Sequence, residues 1–197
     1  MTDAQLVSRY IEGDTAAFNT LARRWQGPIY TFILRYAGSR DEARDLCQKT
    51  FIRAYRSLGR LRNPERFSSW LHQIAINACK DAARSRGLRP TVSLDEDCGE
   101  GPGNRMELAD NAANRPDASA PRQDVRHLLE KALGSIPEEQ RVVVVMKEYQ
   151  GLKFTEIADA LQVPINTVKS RMYYGLSALK KLFDQWNIDQ EMLRYDV

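Results

Sequence analysis

Residues 154–185 read FTEIADALQVPINTVKSRMYYGLSALKKLFDQ, and the interruption at Gln162-Val163-Pro164 constrains the fold more than any other feature of the chain. A helix cannot run through a proline without losing a hydrogen bond and meeting the preceding turn, yet proline suits the first turn of a new helix. The segment therefore reads as a short helix over 154–161, a tight turn, and a longer helix over 165–185. At helical spacing Ile165, Val168, Met172, Leu176, Leu179 and Phe183 form an inward stripe on the second helix. Asn166, Thr167, Ser170, Tyr173, Tyr174, Ser177 and Lys181 form the opposite face, with Lys169 at its flank. The short helix offers Ile157, Ala158 and Leu161, Val163 can fill the turn, and Ala158 is small where two helices must cross. Such a pair is either a helix-turn-helix that pushes its second helix into a major groove or an ordinary helical hairpin. These residues leave both readings open, and Gln162 stands where glycine would turn more easily.

The remaining sequence predicts an all-α protein of two small helical domains joined by a flexible acidic linker. Residues 1–86 are helical throughout, with breaks at Gly13-Asp14, Gly38-Ser39 and Asn63-Pro64. The clearest helix is 41–58, striped by Ala43, Leu46, Cys47, Phe51, Ala54 and Leu58, with Asp41 and Glu42 at its start and Arg53 and Arg56 near its end. Residues 87–121 are rich in Gly, Pro, Asn and Asp and nearly lack large apolar side chains, too little to offset the entropy of ordering. Residues 122–197 return to helices at about 123–134, 138–149, 154–161 and 165–185. Val142–Val145 has strand propensity but lies between helical signals, so helix is expected there.

Charge separates these zones. Residues 1–86 hold 15 Lys/Arg against 8 Asp/Glu, residues 87–121 hold 3 against 7, and residues 122–197 hold 11 against 11. A basic first domain points to a polyanionic partner, or else to a solvated basic face. Residues 51–86 favour the polyanion. They interleave Arg53, Tyr55, Arg56, Arg60, Arg62, Arg66, Phe67, Trp70 and His72, then Asn77, Lys80, Arg84 and Arg86. Cations track a phosphate backbone and aromatic faces accept unstacked bases, although a phenylalanine or tryptophan more often belongs to a core. His72 has no neighbouring ligand residue, so no metal or other cofactor is expected. Cys47, Cys79 and Cys98 make no CxxC pair, which suits a reducing cytoplasm. The amino-terminal residues lack an apolar signal core, and the longest fully apolar run, Val142–Met146, is too short to insert into a membrane.

Four segments, in order, resemble the signature blocks of the extracytoplasmic-function sigma factors, the two-domain initiation subunits of bacterial RNA polymerase. They are DLCQKTFIRAYRSLGRL, FSSWLHQIAINACKD, IPEEQRVVVVMKEYQGLKFTEIADAL and VPINTVKSRMYYGLSALKKLF. The resemblance implies that Asp45, Gln48, Lys49 and Arg53 dock the clamp helices of the largest polymerase subunit, and that the flap of the second largest is a further contact. It implies that Arg53, Leu61, Arg62, Phe67, Trp70, His72, Asn77, Lys80 and Arg84 act on the −10 element, opening the duplex and holding a flipped base. Pro164, Asn166, Thr167, Lys169, Ser170, Arg171, Tyr173 and Tyr174 would read the −35 element as duplex. An anti-sigma factor that masks the polymerase-binding surfaces is the remaining implied partner, and no enzymatic chemistry is implied.

The chain departs from the family pattern in four places. Lys49 replaces an acidic residue on the clamp-facing helix, Lys153 replaces a Ser/Thr helix cap, and Leu61 replaces an aromatic in the loop shaping the base pocket. Residues 186–197 extend past the usual end. Two other functions compete: a stand-alone DNA-binding regulator, which leaves Asp45 and Gln48 without a role, and a helical nucleic-acid enzyme. The second is weakened because Glu138 and Glu139 read as helix-start charges.

Overall fold

The computed structural model describes residues 1–87 and 120–186, so most of the expected linker and the end of the chain, 187–197, lie outside the described residues. Among the described residues the chain forms eight α-helices and no strand. The first four are α1 (Asp3–Ile11), α2 (Thr15–Ala37), α3 (Arg40–Ser57) and α4 (Phe67–Gly87), with single 3-10 turns at Leu58–Arg60 and Pro64–Arg66 before α4. The last four are α5 (Ala120–Ser135), α6 (Glu138–Val144), α7 (Phe154–Leu161) and α8 (Ile165–Gln185), and a π-turn at Val145–Tyr149 extends α6.

Local chemistry places the ends. Thr2 and Gln5 form a reciprocal capping box at α1, with Gln5 N–H donating to Thr2 Oγ1 at 3.2 Å and Thr2 N–H to Gln5 Oε1 at 2.9 Å. The Asp14 carboxylate accepts from Ala16 N–H to start α2, and Ser39 Oγ accepts from Glu42 N–H to start α3. Between those helices Gly38 takes φ 78°, a left-handed conformation that lets its N–H reach the Leu34 carbonyl and close α2. All three breaks read from the sequence therefore fall where the helices end.

α2, α3 and α4 pack together with α1 across them, burying Leu21, Ile29, Phe32, Ile33, Leu46, Leu58, Phe67, Leu71 and Ile76. In the second group α6 packs on α8 and α7 crosses α8. Val142–Val145 and Met146 are buried there in helix, so tertiary packing overrides their strand propensity. The two groups also touch: α4 packs on α7, and α2 packs on α6 and the π-turn. Their buried apolar residues form one continuous core.

The inward face of α8 differs from the sequence stripe. Val168, Met172, Gly175 and Leu179 are buried, whereas Leu176 is 45% exposed and Ile165 lies at the surface. The cause is a close approach to α6. A Cβ on Gly175 would stand 2.9 Å from Val144 Cγ2 and 3.3 Å from Gln140 Cβ. Glycine sets the rotation of α8 by letting two backbones meet. Gly175→Val is expected to cost about 1–3 kcal/mol through overpacking. Urea unfolding of the variant and the native chain measures it, and equal stability would contradict this contact.

Candidate nucleic-acid interface

The turn between α7 and α8 is built against local preference. Gln162 adopts φ 56°, ψ 44°, the left-handed region that favours glycine. Its N–H and that of Val163 both reach the Ala158 carbonyl, and its side-chain amide donates to the Asp159 carbonyl at 2.6 Å. Pro164 lies just before the first helical residue at φ −58°, ψ 145°, and its carbonyl accepts from Thr167 and Val168. At the other end of α7, Lys153 makes no side-chain cap. Its N–H donates to Glu156 Oε2 at 2.7 Å, which is the half of a capping box that does not need a Ser/Thr hydroxyl. The geometry is a helix-turn-helix.

On α8 this turn presents Asn166, Lys169, Ser170, Tyr173 and Tyr174 to solvent, the two tyrosines 69% and 59% exposed with rings 5.6 Å apart. Thr167 is half-buried and its carbonyl accepts from Ser170 Oγ at 3.0 Å. Arg171 departs from the sequence reading. It is half-buried and ion-paired with Glu139 of α6, so it ties two helices together behind the reading face.

The −10 set divides more sharply. Arg62, Asn77, Lys80 and Arg84 are exposed, and Leu61 and Trp70 are half-buried. Exposure of Asn77 settles its position off the inward stripe of α4. Phe67 and His72 do not reach the surface, being 1% and 0% exposed. Their place in a DNA-contacting set is corrected by packing: α4 contacts α2, α3 and α7, and its first half, 67–76, has no exposed residue. His72 sits between the edges of Trp25 and Phe32, at 5.8 and 5.3 Å between centroids. Its Nδ1 lies 2.9 Å from the Ser68 carbonyl, so Nδ1 carries the proton and Nε2 is left without a direct hydrogen bond.

Arg53 is exposed on α3 and bridges to Asp81 of α4 at 3.0 Å. Asp45, Gln48 and Lys49 are also exposed on α3, Gln48 and Lys49 lining different grooves and Asp45 neither. Gln48 lines an open groove of about 1300 Å³ between α2 and α3, with Phe51, Ile52 and Tyr55 and with Arg23, Arg40, Arg44 and Arg56. Lys49 and Arg53 line a smaller cleft of about 330 Å³ between α3 and α4. Lys49 pairs with Asp45 one turn away at 2.5 Å, so the departure at 49 neutralises a neighbour on its own helix. Cys47, at the wall of the larger groove, has its thiol pushed up to about 11 by burial, which keeps it protonated and unreactive near neutrality. Among the described residues, no group of three or more His, Cys, Asp or Glu is placed to hold a metal ion, and no helix is long and apolar enough to cross a membrane.

Sequence reasoning missed the residues that join the two groups. Tyr36 O–H donates to the Glu138 carboxylate, the Arg35 guanidinium lies 3.9 Å from the centre of the Tyr149 ring, and Arg66 pairs with Asp159 at 3.5 Å. Burial and the Glu138 hydrogen bond hold the Tyr36 hydroxyl protonated far above its usual range.

His72 gives this junction a pH dependence. Burial lowers its pKa from the ordinary 6.5, opposed only in part by the Ser68 carbonyl, the Gln150 side chain and the Glu156 carboxylate. The unfolded chain therefore takes up a proton first, and stability from burying neutral imidazole is complete above the unfolded pKa and lost as pH falls below it. The melting temperature is expected to fall more steeply from neutral pH into the acid range in the native chain than in His72→Gln. Identical slopes would contradict the burial of a neutral imidazole.

Comparison with known proteins gives a consistent result. Residues 21–89 match the family model described as Sigma-70 region 2, and residues 126–179 match Sigma-70, region 4. The chain is 33% identical over 183 residues to the RNA polymerase sigma-H factor of Pseudomonas aeruginosa, covering 91% of this chain and 92% of that protein. It is 33% identical over 179 residues to the ECF RNA polymerase sigma-E factor of Escherichia coli K12, covering 91% and 93%. Its fold is similar to that of CnrH in complex with the cytosolic domain of CnrY (TM-score 0.67, 23% identity, 93% of this chain and 97% of that one). It is also similar to the sigma factor RpoE in complex with the anti-sigma factor NepR from Bartonella quintana (TM-score 0.63, 20% identity, 91% and 98%).

Proposed function

This chain belongs to the extracytoplasmic-function family of RNA polymerase sigma factors, and from that premise we propose that it reads promoters through two separate helical faces. As a sigma factor it directs core RNA polymerase to specific promoters and opens the −10 element to initiate transcription. The reading assigned to its parts is that residues 1–86 bind polymerase and the −10 element, 87–121 tether, and 122–197 bind the −35 element. It works in the cytoplasm, where polymerase and promoter are, and its own contribution is binding rather than catalysis of a covalent step.

The exposed outer face of α8 carries this reading. Asn166, Lys169, Ser170 and Tyr174 stand at the start of a helix whose other side buries Val168, Met172 and Gly175, the last against Val144 and Gln140 of α6. A helix so oriented fits a major groove, where amide, hydroxyl and ammonium groups find base-edge acceptors and phosphates. On the other group Asn77 lies exposed along α4 with Lys80 and Arg84 beyond it. A side-chain amide can donate to and accept from one base edge at once, while the cations hold the backbone of the opened strand. Unstacking costs a few kcal/mol per base, which such contacts offset.

Polymerase docks on α3 through Asp45 and Gln48, beside the arginine-lined groove between α2 and α3. Lys49 and Arg53 form the adjoining edge. An anti-sigma factor is the expected restraint, since one structural neighbour is a sigma factor in complex with an anti-sigma factor.

Transcription with core polymerase and mapping of start sites is the test. The chain should yield discrete starts preceded by a common pair of elements, and starts no different from those of core alone would reject the reading. Within that assay Ser170→Ala and Lys169→Ala should each weaken promoter binding by about 1–3 kcal/mol where the contact is to a base edge. Arg171→Ala should instead lower the melting temperature of the protein while leaving −35 preference unchanged. Asn77→Ala should relax preference at one −10 position across a panel of substituted promoters, with normal holoenzyme formation. A uniform loss at all promoters, with a lower melting temperature, would make Asn77 structural.

A further inference from the structure

Along α4, Asn77, Lys80, Asp81 and Arg84 follow the three- and four-residue spacing of one helical face, and all four are exposed. Three of them suit an opened strand, an amide for a base edge and two cations for phosphates. Asp81 does not. A carboxylate on such a face repels the backbone that its neighbours attract.

The contacts of Asp81 give it a role. Its Oδ2 accepts from Arg53 Nη1 at 3.0 Å, reaching across from α4 to α3, and its Oδ1 lies 3.8 Å from Arg84 Nη1, one turn farther along α4. One carboxylate thus joins an arginine from each helix, with an oxygen turned to each. Stability is a poor reason for this arrangement, because all three side chains are about half exposed or more and exposed ion pairs add little. Direction is a better one. Arg53 belongs to α3, whose Gln48 lines the groove towards α2. Asp81 instead draws the Arg53 guanidinium over the smaller cleft between α3 and α4, onto the face that carries Asn77.

We propose that Asp81 is a positioning residue for −10 recognition, holding the guanidiniums of Arg53 and Arg84 together so that they grip the phosphate beside the base read by Asn77. The proposal rests on the −10 reading above and adds to it a residue that itself touches no DNA. Asp81 stands four residues, about 6 Å along the helix axis, beyond Asn77. Each guanidinium carries five N–H donors in a planar fork, more than one carboxylate oxygen can engage, so the fork still meets phosphate oxygens. A free arginine loses rotamer freedom when it binds, and one already held by a neighbour loses less.

The sign of one substitution separates this role from that of a plain surface charge. Asp81→Asn makes the face more positive by one charge, so a carboxylate that only repelled DNA would give tighter binding once removed. A positioning carboxylate gives weaker binding at the −10 sequence despite the added charge.

The test uses holoenzyme formed from the full chain and core polymerase. Its probes are two single-stranded non-template oligonucleotides, one carrying the −10 sequence of a mapped promoter and the other the same bases scrambled. Asp81→Asn should bind the −10 strand about fivefold more weakly, and the scrambled strand at least as tightly as the native chain does. Asp81→Glu, which keeps the carboxylate, should recover most of that loss. Arg53→Ala should also weaken binding of the −10 strand, and adding Asp81→Asn to it should cost little more, because the two act through one contact. The melting temperature of the free chain and the formation of holoenzyme should not change with Asp81→Asn. Equal or tighter binding of both strands by Asp81→Asn would overturn the proposal, as would losses that simply add to those of Arg53→Ala. An equal loss on both strands with a lower melting temperature would make Asp81 structural. Native holoenzyme that holds the two strands alike would strike the −10 reading itself, and the role of Asp81 with it, so the two failures are told apart.

Discussion

The contact of Gly175 with Val144 and Gln140 is the constraint on which the outward face of α8 depends. A helix rotates by about 100° per residue, so the choice between burying position 175 and burying 176 decides which side chains face outward. With Gly175 turned in, Val168, Met172 and Leu179 follow it, and Asn166, Lys169, Ser170, Tyr173 and Tyr174 are turned out together. Arg171 reinforces the same rotation through Glu139. The backbone at Gln162 then sets the angle of α7, which in turn is the surface that meets α4.

A second constraint acts on α4. It is packed by α2, α3 and α7 at once, and this explains both why His72 is a core residue and why the two helical groups share one core. An imidazole buried among Trp25 and Phe32 is tolerated because its Nδ1–H has the Ser68 carbonyl and its bare Nε2 asks for less than a charged ring would. The same packing places Arg66 and half-buried Trp70 at the edge of the junction, while Asn77, Lys80 and Arg84 stay in solvent farther along the helix.

Much of this was legible in the sequence because it is local. The breaks at Gly13-Asp14, Gly38-Ser39 and Asn63-Pro64 follow from caps, turn residues and proline, and the two helices on either side of Gln162-Val163-Pro164 follow from interrupted periodicity. What was not legible depends on contacts between elements. Periodicity assigns Leu176 inward because leucine is apolar, and only the approach of α6 reveals that glycine is required one position earlier. An arginine beside a reading face looks like a reader until Glu139 is found next to it, and Phe67 and His72 look like platforms until α4 is seen to have three neighbours. The junction itself had no signal at all, since Tyr36, Arg35 and Arg66 lie far along the chain from their partners Glu138, Tyr149 and Asp159 and share no pattern with them.

The central claim is that two separate faces of one chain read two promoter elements. The most direct measurement is the structure of this chain bound to core polymerase on a promoter whose start site has been mapped. The account requires the start of α8 to lie in the major groove at −35 with Lys169 and Ser170 against bases or phosphates, and Asn77 to face an unpaired −10 base. A complex that initiates with the outer face of α8 turned away from DNA, or with Asn77 remote from the opened strand, would contradict it.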